Sequence, residues 1–188
     1  FSITHQNAMM AASDLKGVYP VDSYNLSTGT GLLVLSACDM AQEGLPALEI
    51  VSRLEEMRSR VRASFILDTL EYLWKGGRCS GITALGANLL KLKPCIEVRD
   101  GKMGVGKKFR GNLSNVMEQY TDTRLNGVHP ELRRVFITHS GIDQAIIDRV
   151  VARVKELQPF EEILVTRAGC VVSNHCGPNT LGVLFIEK

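Results

Sequence analysis

The chain has 188 residues, 45% hydrophobic, 22% charged and 6% aromatic. That is the profile of a folded globular chain of one ordinary or two small domains, and it excludes disordered, collagen-like and low-complexity classes. With 22 Lys and Arg against 20 Asp and Glu the formal charge is +2, which supplies no sequence-independent grip on a phosphate backbone and argues against nucleic acid as a partner.

From the amino terminus, Ala8, Ala11, Ala12 and Leu15 recur at helical spacing, predicting a helix over Thr4 to Leu15 that stops at Lys16-Gly17. Val18 to Val21 reads as a short strand, broken by Asp22-Ser23-Tyr24-Asn25. The next helix has a hydroxyl- and glycine-rich start, Ser27-Thr28-Gly29-Thr30-Gly31, is apolar nearly all round and closes on Gly44. Pro46 opens another, whose stripe Ile50, Leu54, Met57 and Val61 faces inward while Glu49 with Arg53 and Glu56 with Arg60 form i,i+4 pairs outside. Ala63 to Leu67 reads as a strand, and Asp68 with Glu71 as a capping box for a short helix, Thr69 to Trp74, ended by Lys75-Gly76-Gly77-Arg78.

Ala84 to Leu92 carries a further helical pattern. Pro94 to Val98 and Met103 to Phe109, joined through Asp100-Gly101, predict a β-hairpin, because Asp-Gly tolerates the positive φ angles of a tight turn. A more polar helix runs from Leu113 to Leu125 and ends at Asn126-Gly127. The last third alternates strand Val135 to His139, helix Ile142 to Leu157 with Ile146, Val150, Val154 and Leu157 inward, strand Ile163 to Thr166, and strand Leu181 to Ile186. The whole is an α/β chain. Helices around one or two parallel strands are expected in the first half and a mixed sheet in the second, with a boundary between Lys75 and Gly81.

No window approaches the ~18 uninterrupted apolar residues of a membrane span, and no basic-apolar-small leader opens the chain, so the expected address is the cytoplasm. Five cysteines at irregular spacing, Cys38, Cys79, Cys95, Cys170 and Cys176, read as reduced thiols rather than a disulfide framework.

Several stretches carry polar chemistry. Ser27 to Gly31 could cradle an anion at a helix start, but lacks both the P-loop ending and a full dinucleotide fingerprint. In Lys75-Gly76-Gly77-Arg78 two glycines free the backbone between two cations, and Arg78 offers a planar fork for a carboxylate; cations at a helix C-terminus are the plainer reading. Arg110, after Lys107 and Lys108, tips the hairpin with positive charge; a solvated edge strand guarded by cations is the plainer reading. His175, in a loop Asn174-His175-Cys176-Gly177-Pro178, could orient an oxyanion or shuttle a proton, or serve structure alone. Cys170, His175, Cys176 and His139 do not have a usual metal-ligand spacing, so no metal is expected.

Taken in order, Ser2-Ile3-Thr4-His5-Gln6-Asn7-Ala8, Val21-Asp22-Ser23, Thr69 through Arg78, Leu89 through Pro94, Asp100-Gly101, Arg110 and His175-Cys176-Gly177-Pro178 resemble the DegV family of bacterial fatty-acid-binding proteins across essentially the whole chain. Ile3 and His5 depart from the glycine and tyrosine of the family's first segment. The resemblance implies a Rossmann-like α/β first domain, truncated at its amino-terminal side and represented here by residues 1–77, and an α/β second domain with a mixed sheet, residues 78–188. It further implies a long-chain fatty acid held between them as ligand, no cofactor, and a non-catalytic carrier that presents the carboxylate to a fatty acid kinase. Ser2, Thr4, Arg78 and His175 fall on head-group positions, and Arg110 on a position associated with docking the kinase. Leu32, Leu33, Leu35, Leu85, Leu89 and Leu90 are available as walls for the acyl chain. The alternative is an enzyme, a hydrolase or carbonyl-handling protein, using His175.

Overall fold

The computed structural model describes residues 2–78 and 92–188. Cys79, the expected helix from Ala84 and the expected wall residues Leu85, Leu89 and Leu90 lie outside the described residues. Six strands, β1 Val61–Ile66, β2 Leu92–Arg99, β3 Lys102–Arg110, β4 Arg134–His139, β5 Glu162–Arg167 and β6 Leu181–Ile186, form one sheet in the order β3-β2-β1-β6-β4-β5. Only β4 and β5 are parallel, and the helix α6, Gln144–Leu157, crosses between them, as a parallel pair requires. Every other pairing is antiparallel.

The sheet is mixed, as expected, but its connectivity corrects two expectations. β1 is the strand of the first 77 residues, and it is antiparallel to both neighbours, β2 and β6. The hydrogen bonds of β1 join residues 61–66 to two strands that follow residue 78. Val18 to Val21 forms no strand, since among the described residues no ladder partner lies beside it.

Alternation along β1 explains how both faces of the sheet become core. Val61, Ala63 and Phe65 point to one face, which is covered by α2, Ser27–Gln42, and α3, Ala47–Met57. Ser64 and Ile66 face the other way, under α5, Leu113–Leu125, and α6. Three layers result, helix on sheet on helix.

Local chemistry sets most element ends. Asn112 caps α5 by accepting from the Asn115 backbone N–H at 2.9 Å, and Asp143 caps α6 by accepting from that of Ala145 at 2.9 Å. Asp100 and Gly101 have φ of 49° and 73°, the paired positive angles of a tight hairpin. The inward residues of α6 are Ile147, Val150 and Val154, with Ile146 and Leu157 half-buried at its flanks.

Other local expectations give way to tertiary contacts. Glu49 and Arg53 pair at 2.6 Å, but Arg60 reaches Glu131 at 2.6 Å rather than Glu56, because Arg60 has left α3 for the turn into β1. Asp68 does not cap α4, Glu71–Lys75; it binds Lys93 and accepts from the Asn179 amide at 3.1 Å, tying the end of β1 to β2 and to the approach to β6. Burial raises its pKa, but these two hydrogen bonds outweigh burial and hold the carboxyl below its ordinary value. The first helix, α1, spans Thr4–Ala12, three residues shorter than expected, and contributes no buried residue.

Candidate functional site

On the α2 face of the sheet lies a cavity of about 610 Å3, within the about 300–1,000 Å3 range of pockets that enclose small ligands. It brings together Ser2, Thr4, Arg78 and His175, which come from three separate stretches of the chain. Ser2 and Thr4 stand at the start of α1 with their hydroxyl oxygens 2.6 Å apart, and Ser2 Oγ accepts from the Thr4 backbone N–H at 3.1 Å. Two hydroxyls therefore sit as a pair at the cavity. Arg78 is exposed and donates to the Gly76 carbonyl at 2.9 Å, within its own turn, and among the described residues no other partner takes up its fork.

His175 lies in a helix rather than a loop. α7 spans Cys170–Cys176 and packs against α4. Their approach is close enough that each helix meets a glycine at the end of the other. A Cβ at Gly76 would overlap His175 Nδ1 and come 2.7 Å from Cε1, while a Cβ at Gly177 would come 2.7 Å from Tyr72 Cε2. Gly177 also has φ of 75° as it ends α7. The Gly-Gly-Arg and His-Cys-Gly-Pro stretches, nearly a hundred positions apart, are thus two sides of one contact. His175 Nδ1 is buried with no hydrogen-bond partner among the described residues. A buried ring nitrogen in that state is costly, and a ligand oxygen or a water would satisfy it.

The loop before α2 supplies the remaining polar wall. Tyr24, at φ 53°, and Ser27, at φ 51°, adopt the left-handed conformation that costs a side-chain-bearing residue about 1–2 kcal/mol. Tyr24 is held there by its N–H donating to Asp22 Oδ1 at 3.1 Å and by the Arg58 guanidinium 4.0 Å over its ring. Ser23 shares a hydrogen bond with Thr30 at 2.9 Å. Asp22, Ser23, Tyr24, Asn25 and Thr30 all line the cavity. In the sequence this loop stands out only as a break and a motif; its backbone strain is what singles it out.

Among the described residues, the apolar walls are not the expected leucines Leu32, Leu33 and Leu35. Leu32 and Leu33 are buried in the core and Leu35 packs against it, whereas the cavity is walled by Val21, Leu26, Phe65, Leu73, Met103 and Val172. α2 turns Leu32 and Leu33 into the core, and the cavity lies beside its first turn, where Thr30 lines it. Period-2 alternation in β1, which places Phe65 on this face, is the signal that could have found this wall.

Arg110 stands apart. It is exposed, opposite Leu92 at the open end of the hairpin, about 27 Å along the edge strand from the turn. It does not line the cavity. Nor is it at the hairpin tip, where Asp100-Gly101 sits.

Burial pushes the Cys176 thiol up to about 11, so it stays protonated near neutral pH, a state that neither attacks a carbonyl nor ligates a metal. No carboxylate hydrogen-bonds to His175 among the described residues, and no group of three or more His, Cys, Asp or Glu among them is placed to hold a metal. No described helix is long and apolar enough to cross a membrane. Paired hydroxyls, a guanidinium and an imidazole over an apolar floor suit a molecule with one anionic oxygen group and a long apolar body.

A family model described as "Uncharacterised protein, DegV family" matches residues 1–188. A DegV domain-containing protein of Caldanaerobacter subterraneus is 32% identical over 190 residues, covering 100% of this chain and 68% of its own length. Among solved structures, a DegV family protein from Thermus thermophilus described by its fatty acid binding superposes with a TM-score of 0.86 at 30% identity, and covers 100% of this chain and 67% of its own. DegV from Bacillus subtilis, described as a fatty acid binding protein, gives 0.80 at 27% identity, with 100% and 67% covered. The chain spans about two thirds of the length of these relatives.

Proposed function

Because the chain belongs to the DegV family, we propose that it is a non-catalytic carrier that binds a long-chain fatty acid in the cavity over its sheet and offers the carboxylate to a fatty acid kinase. The observation that carries this reading is the convergence of Ser2, Thr4, Arg78 and His175 at a single cavity floored by Phe65, Leu73 and Met103. The carboxylate lies against the hydroxyl pair and the two nitrogen donors, where charge-assisted hydrogen bonds are strongest. The acyl chain lies on the apolar floor, where each buried methylene contributes about 0.8 kcal/mol, so about 14 of them supply about 11 kcal/mol before the cost of association. Length and apolar walls therefore provide affinity, and the polar end provides orientation. Arg110, away from the cavity on the edge strand, is left to meet the kinase rather than the ligand.

The test is titration of delipidated protein with palmitate, followed by native mass spectrometry. A one-to-one complex, weakened by methylation of the carboxylate and by Arg78→Ala, is expected, and repeated titration with no uptake refutes the reading. For the partner, Arg110→Ala is expected to slow phosphorylation of the bound acid by a fatty acid kinase while leaving acid binding unchanged. Equal rates for variant and wild type rule out that role.

A further inference from the structure

Behind the cavity lies a second chamber of about 30 Å3, which shares Leu26, Phe65, Val172 and Cys176 with it as common walls. Its back is formed by Ala63 and Val98, which face each other as Cα partners across the β1–β2 pair. A space of that size takes one water-sized or methyl-sized group.

Five hydroxyls surround it, those of Ser27, Thr28, Thr138, Ser140 and Thr180, and the last four are engaged elsewhere. Thr180 donates to the Cys176 carbonyl at 3.0 Å and Ser140 to that of Gly177. Thr28 and Thr138 bond each other at 2.6 Å, and Thr138 continues to Thr166 at 3.0 Å, so that this chain of donors can run outward to β5. His139, also on the wall, is held below its ordinary pKa by burial and then by Arg167, so it is neutral near pH 7. With four of its five hydroxyls paired off and Leu26, Ala63, Phe65, Val98, Val172 and Leu184 among its walls, the chamber favours a hydrocarbon end over a water, which needs two or more partners.

We propose that this chamber receives the terminal methyl of the acyl chain, and that Ala63 and Val98 set how far the chain can reach, so that the protein measures chain length and prefers an unbranched end. The inference rests on the fatty-acid reading above. The cavity alone would accept any apolar body; the narrow space behind Phe65 and Cys176 is what distinguishes one tail from another. A branched end places two methyls on one carbon and does not fit a space for one group.

Competition titrations with straight-chain saturated acids from about 12 to about 20 carbons test this, because each buried methylene changes affinity by about fourfold. Ala63→Val fills the chamber: affinity for the longest acids that the wild type accepts is expected to fall about fourfold or more, while acids too short to reach the chamber bind as before. Val98→Ala enlarges it, and the optimum is expected to move toward longer acids, with a terminally branched acid gaining relative to its straight isomer. The two variants act in opposite directions, so either one that folds decides the matter. A uniform change at every length, or profiles identical to the wild type, overturns the inference while leaving the carrier reading intact. No uptake of any acid by the wild type removes the carrier reading, and this inference with it.

Discussion

Gly76→Ala tests the contact between α4 and α7 most directly. Gly76 has φ −79° and ψ 0°, angles that alanine adopts without strain. The added Cβ overlaps His175 Nδ1 and lies 2.7 Å from Cε1, whereas carbon atoms in contact sit about 3.5–4.0 Å apart, so the imidazole must retreat by about 1 Å or more. The Tyr72 carbonyl at 3.2 Å tightens the site from the other side. Global stability should change by no more than about 1 kcal/mol, because loss of chain entropy in the unfolded state offsets the local crowding. Affinity for a fatty acid should fall about ten- to hundredfold, the worth of one hydrogen bond to a charged group at about 1.5–3 kcal/mol. The assay is a double-mutant cycle with His175→Ala, read by isothermal titration with the acid and with its methyl ester, alongside urea denaturation. The double variant should bind no more weakly than His175→Ala alone, and the ester should be little affected by either change. Wild-type affinity in Gly76→Ala, or losses that simply add in the double variant, would refute the claim that this glycine exists to seat the histidine.

Arg78→Ala should leave stability within about 0.5 kcal/mol of wild type, since the side chain is exposed and among the described residues bonds only its own turn, but should weaken binding of the acid and spare the corresponding fatty alcohol; equal losses for both ligands would contradict a carboxylate role. Tyr120→Phe removes a buried hydroxyl that donates to the Ser64 carbonyl at 2.7 Å, accepts from the Val183 N–H at 2.9 Å and bonds Ser64 Oγ at 2.8 Å. The loss should be about 1–3 kcal/mol by urea denaturation, and a smaller one would mean that the network is dispensable. Asp68 titrates below the ordinary 3.8 in the folded chain, so its stabilising contribution is fully present above that value and lost as pH falls through the lowered folded value. The stability gap between wild type and Asp68→Asn should accordingly be constant near neutral pH and close in acid; a gap that persists at low pH would assign it to packing instead.

Elements whose signals are local were legible. The hairpin at Asp100-Gly101 and the helix Leu113–Leu125 with its Asn126-Gly127 stop follow from the φ preferences of a few adjacent residues, and the structure has both. The Gly-Pro that follows His175 points to a loop, yet those residues come just after the last turn of α7. Val18 to Val21 has strand propensity but no partner among the described residues, and propensity without a ladder forms no strand. Ser2, Thr4, Arg78 and His175 stood out through the order of their motifs along the chain, and the structure brings them to one cavity. The walls were not legible, because which leucines face a cavity depends on how α2 lies on the sheet.

By itself, then, the sequence determined the alternation of helices and strands, the turns between them, and which stretches carry hydroxyl, guanidinium and imidazole groups. Only the tertiary structure decided that β1 sits antiparallel between β2 and β6, that Gly76 and Gly177 allow α4 and α7 to meet, and that Ser2 and His175 share one cavity. The reason is physical: periodicity and φ preference act over a few residues, whereas strand partners and cavity walls are chosen by burial between segments far apart in the chain.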